Sequence, residues 1–169
     1  MVTTASPATD RPSALDYSTD NCPIGRSMAI FGERWTLVVV REVFNGVRRF
    51  DDMRVRTPIP RQVLADRLGL LVEHGILAKV PYQVTGQRPR HEYRLTTKGI
   101  DLYPVLIAIS DWGNQYLADD DGPAIEFAHR DCGSPVEIAL TCAGGHAIEH
   151  ARDVVPRPGP GAKLRNKVE

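Results

Sequence analysis

In the run RQVLADRLGLLVEHG, Leu64, Leu68 and Leu71 recur at the i, i+4, i+7 spacing of one helix face. Gly75 follows as a helix stop, where a left-handed residue is wanted. Upstream, CPIGRSMAIFGERWTLVVVREVFNG divides into two helices at Gly32. Ile24, Met28 and Phe31 share one face of the first, and Trp35, Val38, Val39 and Glu42 fall on successive turns of the second. Gly46 closes the second helix. RRFDDMRVRTPIP predicts a short third helix anchored by Phe50 and Met53. Asp51 and Asp52 suit its N-terminus, and Pro58 and Pro60 end it. A short helix, a proline-containing turn and a second helix in succession have the spacing of a helix-turn-helix.

After Gly75 the period shortens. ILAKVPYQV and HEYRLT read as strands joined by TGQRPR, a hairpin with a cationic tip, or wing. TTKGIDLYPVLIAISDWGNQYLA then predicts a long helix capped by Thr96 or Thr97. Leu102, Leu106, Ile109 and Gly113 share one of its faces, with Val105 and Trp112 beside it. Pro104 removes one helical hydrogen bond and predicts a bend. DDDG at 119–122 marks a boundary. The expected fold class is mainly α with a small β-hairpin wing, a winged helix-turn-helix with a small C-terminal β-hairpin appendage. The expected organisation is a flexible lead-in over 1–20, the winged domain over 21–118, an accessory hairpin over 123–156 and a disordered tail over 157–169.

Charge sharpens this reading. The chain of 169 residues is formally neutral, but Val47–Gly99 holds eleven Lys and Arg against five Asp and Glu. That segment therefore carries an excess of six positive charges, and the remainder an equal negative excess. A cationic stretch coinciding with a helix-turn-helix and its wing fits a polyanionic partner. There is no apolar run of membrane-spanning length and no signal-like leader, and three cysteines form no disulfide framework. A cytoplasmic protein without a membrane partner is expected. The sequence carries no P-loop, dinucleotide fingerprint, nucleophile elbow or paired-His zinc-protease motif, so an enzyme is not expected.

CPIGRSMAIFGERWTLVVVREVFNGVRRFDDM, RQVLADRLGLLVEHGIL and RHEYRLTTKGIDLYPVLIAISDWG together resemble the HxlR-type transcriptional regulators, relatives of the MarR-type proteins. The resemblance covers about Cys22 to Gly113, over half the chain. It implies a homodimeric regulator of double-stranded DNA, repressor or activator, with repression the leading expectation. A recognition helix places its N-terminal residues nearest the base edges. Here these are Arg61, Gln62, Ala65 and Asp66, with Arg61 suited to guanine and Gln62 to adenine; Arg67 lies at the flank, near phosphate. Arg88, Arg90 and His91 would serve the wing, and Arg48 and Arg49 a phosphate near a helix start. The family often has Ser or Thr where this chain has Pro60, which supplies neither a side-chain cap nor a phosphate contact. Dimerisation is expected through Ile24, Met28, Phe31, Leu102, Leu106, Ile109 and Trp112.

Two further chemistries remain open. Some relatives sense electrophiles or oxidants with a cysteine placed like Cys22, which stands at a helix start with Arg26 one turn on; plain packing is the alternative. A thiol reaction or a small ligand would then switch the regulator. The stretch HRDCGSPVEIALTCAGGH sets His129, Cys132, Cys142 and His146 in an H-x2-C-x9-C-x3-H arrangement, with His150 beyond. The β-branched VEIALTC predicts a hairpin that would bring Cys132 near Cys142. A zinc site, a disulfide and a metal-free hairpin are all compatible with that pattern. No cofactor is expected, with zinc the one to test. The alternative reading of the whole protein is a small zinc-binding module or metalloenzyme centred on this stretch.

Overall fold

The computed structural model describes residues 16–165 apart from 84, 85 and 87. The first fifteen residues of the expected lead-in, the last four of the expected tail, and Thr85 and Gln87 of the wing tip lie outside the described residues. The elements run α1 (Pro23–Phe31), α2 (Thr36–Phe44), α3 (Phe50–Arg56), α4 (Arg61–Glu73), β1 (Leu77–Tyr82), β2 (Arg90–Leu95), α5 (Thr97–Ile100) and α6 (Tyr103–Leu117). A small pair, β3 (Leu140–Thr141) and β4 (Ala147–Ile148), and a 3₁₀ turn (Ala151–Asp153) complete them. This is the winged helix-turn-helix the periodicities predict, with a two-stranded antiparallel wing in which Leu77 faces Leu95 and Tyr82 faces Arg90. No helix among the described residues is long and apolar enough to cross a membrane.

The core forms where the helical stripes converge. Val39, Val40 and Val43 of α2, Met53 of α3, and Leu64, Leu68 and Leu71 of α4 are buried together with Ile76, Leu77 and Leu106. The two helices entering this core end alike. Gly46 (φ 82°) and Gly75 (φ 66°) take the left-handed conformation after α2 and α4. The amides of Gly46 and Val47 bond back to Val43 and Glu42, and those of Gly75 and Ile76 to Val72 and Leu71. Each pair satisfies two carbonyls that the helix would otherwise leave open.

One polar group enters the core. Glu42 is 1% exposed and receives Arg41 on Oε1 at 2.7 Å and Arg56 on Oε2 at 2.7 Å. Burial by itself would raise its pKa, but the hydrogen bonds and charges of the two guanidiniums hold it below the usual carboxylate value. The pair Glu42–Arg56 ties the last turn of α2 to the C-terminal end of α3.

The expected single long helix is broken. Pro104 has no N–H and its ring obstructs the carbonyl four residues back, Ile100. Accordingly α5 ends at Ile100, and α6 begins at Tyr103 with proline in its first turn, where the missing donor costs nothing. Thr96 is the cap, accepting the Gly99 amide at 3.1 Å. A methyl group on Gly99 would run into the Ile76 carbonyl and the Leu95 side chain. Gly99→Ala should therefore cost about 1–3 kcal/mol by overpacking, read as a lowered urea midpoint with an unchanged slope.

Beyond Ala118 the chain returns over the helical domain with almost every residue exposed. It docks through Phe127, edge-on to Tyr103, which itself stacks on Phe44 at 4.6 Å. The Asn114 side chain also donates to the Ile125 carbonyl. Residues 157–165 of the expected tail run back to the start of the described chain. Tyr17 bridges Leu164 in antiparallel fashion, Ser18 donates to the Lys163 carbonyl, and the Asn21 amide reaches the Gly161 carbonyl.

Candidate nucleic-acid interface

The turn between α3 and α4 is fixed from beneath by Ile59, which is buried, and by Thr57, whose hydroxyl returns to the Met53 carbonyl at 2.8 Å. Pro60 stands at the N-cap of α4 with extended backbone and no side-chain cap bond. With Leu64, Leu68 and Leu71 inward, the 3.6-residue period turns Gln62 and Asp66 outward and Ala65 to the flank; Arg61 is in register with the leucine stripe but stands in the open first turn, and all four are exposed. Their polar groups are organised. The Arg61 guanidinium lies 5.4 Å from the centre of the Phe50 ring. Gln62 Nε2 donates to Asp66 Oδ1 at 2.8 Å, which leaves its second N–H and its carbonyl oxygen for other partners. Arg67 lies differently: it is half-buried, and its Nε is buried without a partner among the described residues.

The wing is sewn to the start of α3. The Tyr93 amide donates to the Arg48 carbonyl at 2.8 Å, and Arg49 forms a bridge with Glu92, so residues 48–49 add a short third edge to the sheet. That edge was not predicted. It holds the exposed Arg48 and Arg49 beside the wing, and the Arg49 guanidinium stacks 4.5 Å from the Tyr82 ring centre. Arg90 approaches Asp51 at 3.6 Å, while Arg88 and His91 are exposed on the wing. Phe50, Asp51 and Tyr82, which hold three of these arginines, were also missed. Only their position beside arginines in space identifies them.

The expected dimer face divides. Ile24 (72% exposed), Met28, Ile109 and Trp112 (56%) point to solvent, and α1 contributes no buried residue. Leu106 is only 8% exposed and belongs to the core, with Phe31 and Leu102 packed against it. The break between α5 and α6 explains the correction. Leu102 falls outside α6, whose inward face is set by the buried Leu106 and Ile107, and Val105, Ile109, Trp112 and Tyr116 follow one another at spacings of four, three and four along the stripe turned away from Ile107.

The three thiols are free. Cys22 occupies the N-cap of α1 without a side-chain cap bond and is half-buried. The hairpin of the appendage is not the one expected from VEIALTC. Only Leu140 and Thr141 of that run pair, with Ile148 and Ala147, around a turn at 142–146 in which Gly145 has φ 82°. A second turn lies at 129–134, closed by the His129 amide on the Ser134 carbonyl. Cys132 and Cys142 thus sit in separate turns, each beside its own histidine: His129 Nδ1 is 3.2 Å from Cys132 Sγ, and His146 Nδ1 is 3.4 Å from Cys142 Sγ. Bonds from the Ser134 hydroxyl and amide lower the Cys132 thiol's pKa, and the amides of His146 and Gly144 lower that of Cys142. Among the described residues no three or more His, Cys, Asp or Glu side chains come together as a metal site. The four-ligand zinc arrangement suggested by the spacing is therefore not assembled among the described residues, where the two His–Cys pairs stay apart.

The model of the HxlR-like helix-turn-helix family matches residues 30–121. An uncharacterised HTH-type transcriptional regulator of Mycobacterium tuberculosis is 40% identical over 153 residues, spanning 90% of this chain and 96% of the relative. The HTH-type transcriptional regulator YdeP of Bacillus subtilis is 31% identical over 111 residues, 63% of this chain and 85% of its own. Among solved structures, PA1607, a candidate transcription factor, superposes with a TM-score of 0.73 at 33% identity, covering 83% of this chain and 96% of its own. The similarity to PA1607 thus extends into the appendage as well as the winged domain.

Proposed function

The chain belongs to the HxlR-like helix-turn-helix family of transcriptional regulators, and from that premise we propose that it binds a palindromic operator as a homodimer and represses transcription there. The observation that carries this reading is the outward face of α4. Arg61 and Gln62 stand at its N-terminal end, over a buried leucine stripe, with Arg48, Arg49 and Arg88 alongside. Arginine can donate to the two acceptors O6 and N7 of guanine, and the glutamine amide can donate to N7 and accept from N6 of adenine in the major groove. The flanking arginines supply the sequence-independent attraction of phosphates.

A homodimer is supported by the unfilled apolar residues of α1 and α6. Ile24, Met28, Ile109 and Trp112 are about half exposed or more in one chain, and the nine-residue α1 is held to the core only through the partly buried Ile30 and Phe31. Two-fold pairing through these helices would present two copies of α4 to half-sites about one helical turn apart.

Mapping of bound sites across the source genome, followed by gel shifts on the recovered DNA, tests the reading. The expected result is a two-fold symmetric motif overlapping promoters and a reporter that rises when the gene is deleted. Bound sites without a symmetric motif would overturn it. Arg88→Ala is expected to lower affinity for operator and unrelated DNA alike. It should also reduce the slope of log K against log salt by roughly 0.9 for each phosphate that the variant no longer neutralises.

A further inference from the structure

Arg49, Phe50 and Asp51 are consecutive, yet each reaches a different arginine-bearing part of the surface. Arg49 belongs to the wing: its backbone bridges Glu92, and its guanidinium lies 4.5 Å from the centre of the Tyr82 ring. Phe50, the first residue of α3, packs against the core and carries the Arg61 guanidinium of α4 at 5.4 Å from its ring centre. Asp51 turns back to the wing and faces Arg90 at 3.6 Å. In the wing ladder Arg90 stands opposite Tyr82, the residue that carries Arg49. The start of α3 therefore touches both the recognition helix and the wing.

The two contacts act on their arginines in different ways. A guanidinium is planar, and its N–H donors point outward in its own plane. A ring beneath its face restrains it without using those donors, which guanine needs. An arginine already held loses less freedom on binding than one that moves freely in solvent. Asp51 needs another explanation. Its carboxylate and Arg90 are 68% and 56% exposed, so the pair adds little stability. A negative charge on a surface that meets phosphate also weakens attraction for DNA of any sequence. Restraint of Arg90, with its charge screened from unrelated DNA, is what the contact supplies.

We propose that Phe50 and Asp51 are positioning residues for DNA recognition: they hold Arg61 of α4 and Arg90 of the wing in a fixed relation and thereby set the preference for operator over unrelated DNA. This role rests on the regulator reading. Phe50→Leu removes the ring but keeps an apolar side chain, and Phe50→Tyr keeps the ring. In competition between the operator fragment recovered by genome mapping and a scrambled duplex, Phe50→Leu is expected to lower the preference by about two- to fivefold per half-site, the size of an exposed cation–π contact. Its affinity for the scrambled duplex should not change, and Phe50→Tyr should keep the wild-type preference. Asp51→Asn is expected to bind the scrambled duplex more tightly and the operator no more tightly, so its preference also falls.

Two further readouts separate positioning from a merely structural role. In an Arg61→Ala background Phe50→Leu should lower the preference no further, and Asp51→Asn should lower it no further in an Arg90→Ala background; a residue needed only for the fold would add its cost in both. In the DNA-free chain, nuclear relaxation of the arginine Nε–H groups should show Arg61 loosened by Phe50→Leu and Arg90 loosened by Asp51→Asn. An unchanged preference in the folded variants, additive losses in the arginine backgrounds, or unchanged mobility of the two guanidiniums would overturn the proposal. A wild-type chain that bound operator and scrambled DNA alike would instead remove the regulator reading itself.

Discussion

An Arg61→Ala, Gln62→Ala variant is expected to lose its distinction between operator and unrelated DNA while still binding both at low salt. Each bidentate contact to a base edge provides about 1–3 kcal/mol of discrimination. Removing both from every half-site should reduce a large specificity ratio to near unity. The expectation is selective because the helix has two independent faces. Leu64, Leu68 and Leu71 remain buried, so the fold should keep its stability apart from the exposed contact of Arg61 on Phe50, worth about 0.5–1 kcal/mol. Arg48, Arg49 and Arg88 remain to hold phosphate. Competition gel shifts with operator and scrambled DNA measure the ratio directly. A variant that keeps the wild-type ratio would remove Arg61 and Gln62 from the recognition surface.

Arg41→Ala combined with Arg56→Ala is expected to destabilise the protein by about 3–5 kcal/mol, because it strands a buried carboxylate without a partner. The single variants should cost much less, since either arginine alone still neutralises Glu42 and both are partly exposed. The pH dependence should reverse. In the wild type Glu42 is held below its ordinary pKa, so its contribution is present above the unfolded carboxylate value and is lost as the pH falls through the folded one. With both guanidiniums gone, desolvation alone remains and raises the folded pKa above the unfolded one. Stability should then be greatest in acid and fall as the pH rises between the two values. Urea unfolding of wild type and double variant from pH 4 to 8 separates the cases; parallel curves would mean that Glu42 is charged and solvated, contrary to its burial.

The contrast between Glu42 and the leucines of α4 explains what could be read in advance. Leu64, Leu68 and Leu71 declare their helix and its inner face by local spacing, and Gly46 and Gly75 mark ends that only a left-handed residue closes. These are short-range signals. Glu42 falls on the inner face by the same period, but Arg56, which makes it tolerable there, is fourteen residues away. The sheet edge at Arg48 and Arg49 consists of one bridge to Glu92 and shows no alternation. Gln62 and Asp66 follow as outward residues from the inward leucines, whereas Phe50, Asp51 and Tyr82 can be recognised as arginine holders only once α3, α4 and the wing are brought together. In the appendage, local propensity favoured VEIALTC as a strand. The turn at Gly145 instead sets a two-residue pairing, and the histidines and cysteines follow their turns rather than each other.

The bridge between Tyr17 and Leu164 has a consequence for synthesis. A ribosome releases the chain from its N-terminus, and helical domains with local contacts collapse early. The segment leading into α1 therefore emerges well before Leu164 and can make this bridge only after that residue has followed it out. Until then the start of α1 lacks these contacts on the nascent chain. Truncation before Gly161 would leave every copy in that form, without the bond to Asn21, the bond to Ser18 or the bridge to Tyr17.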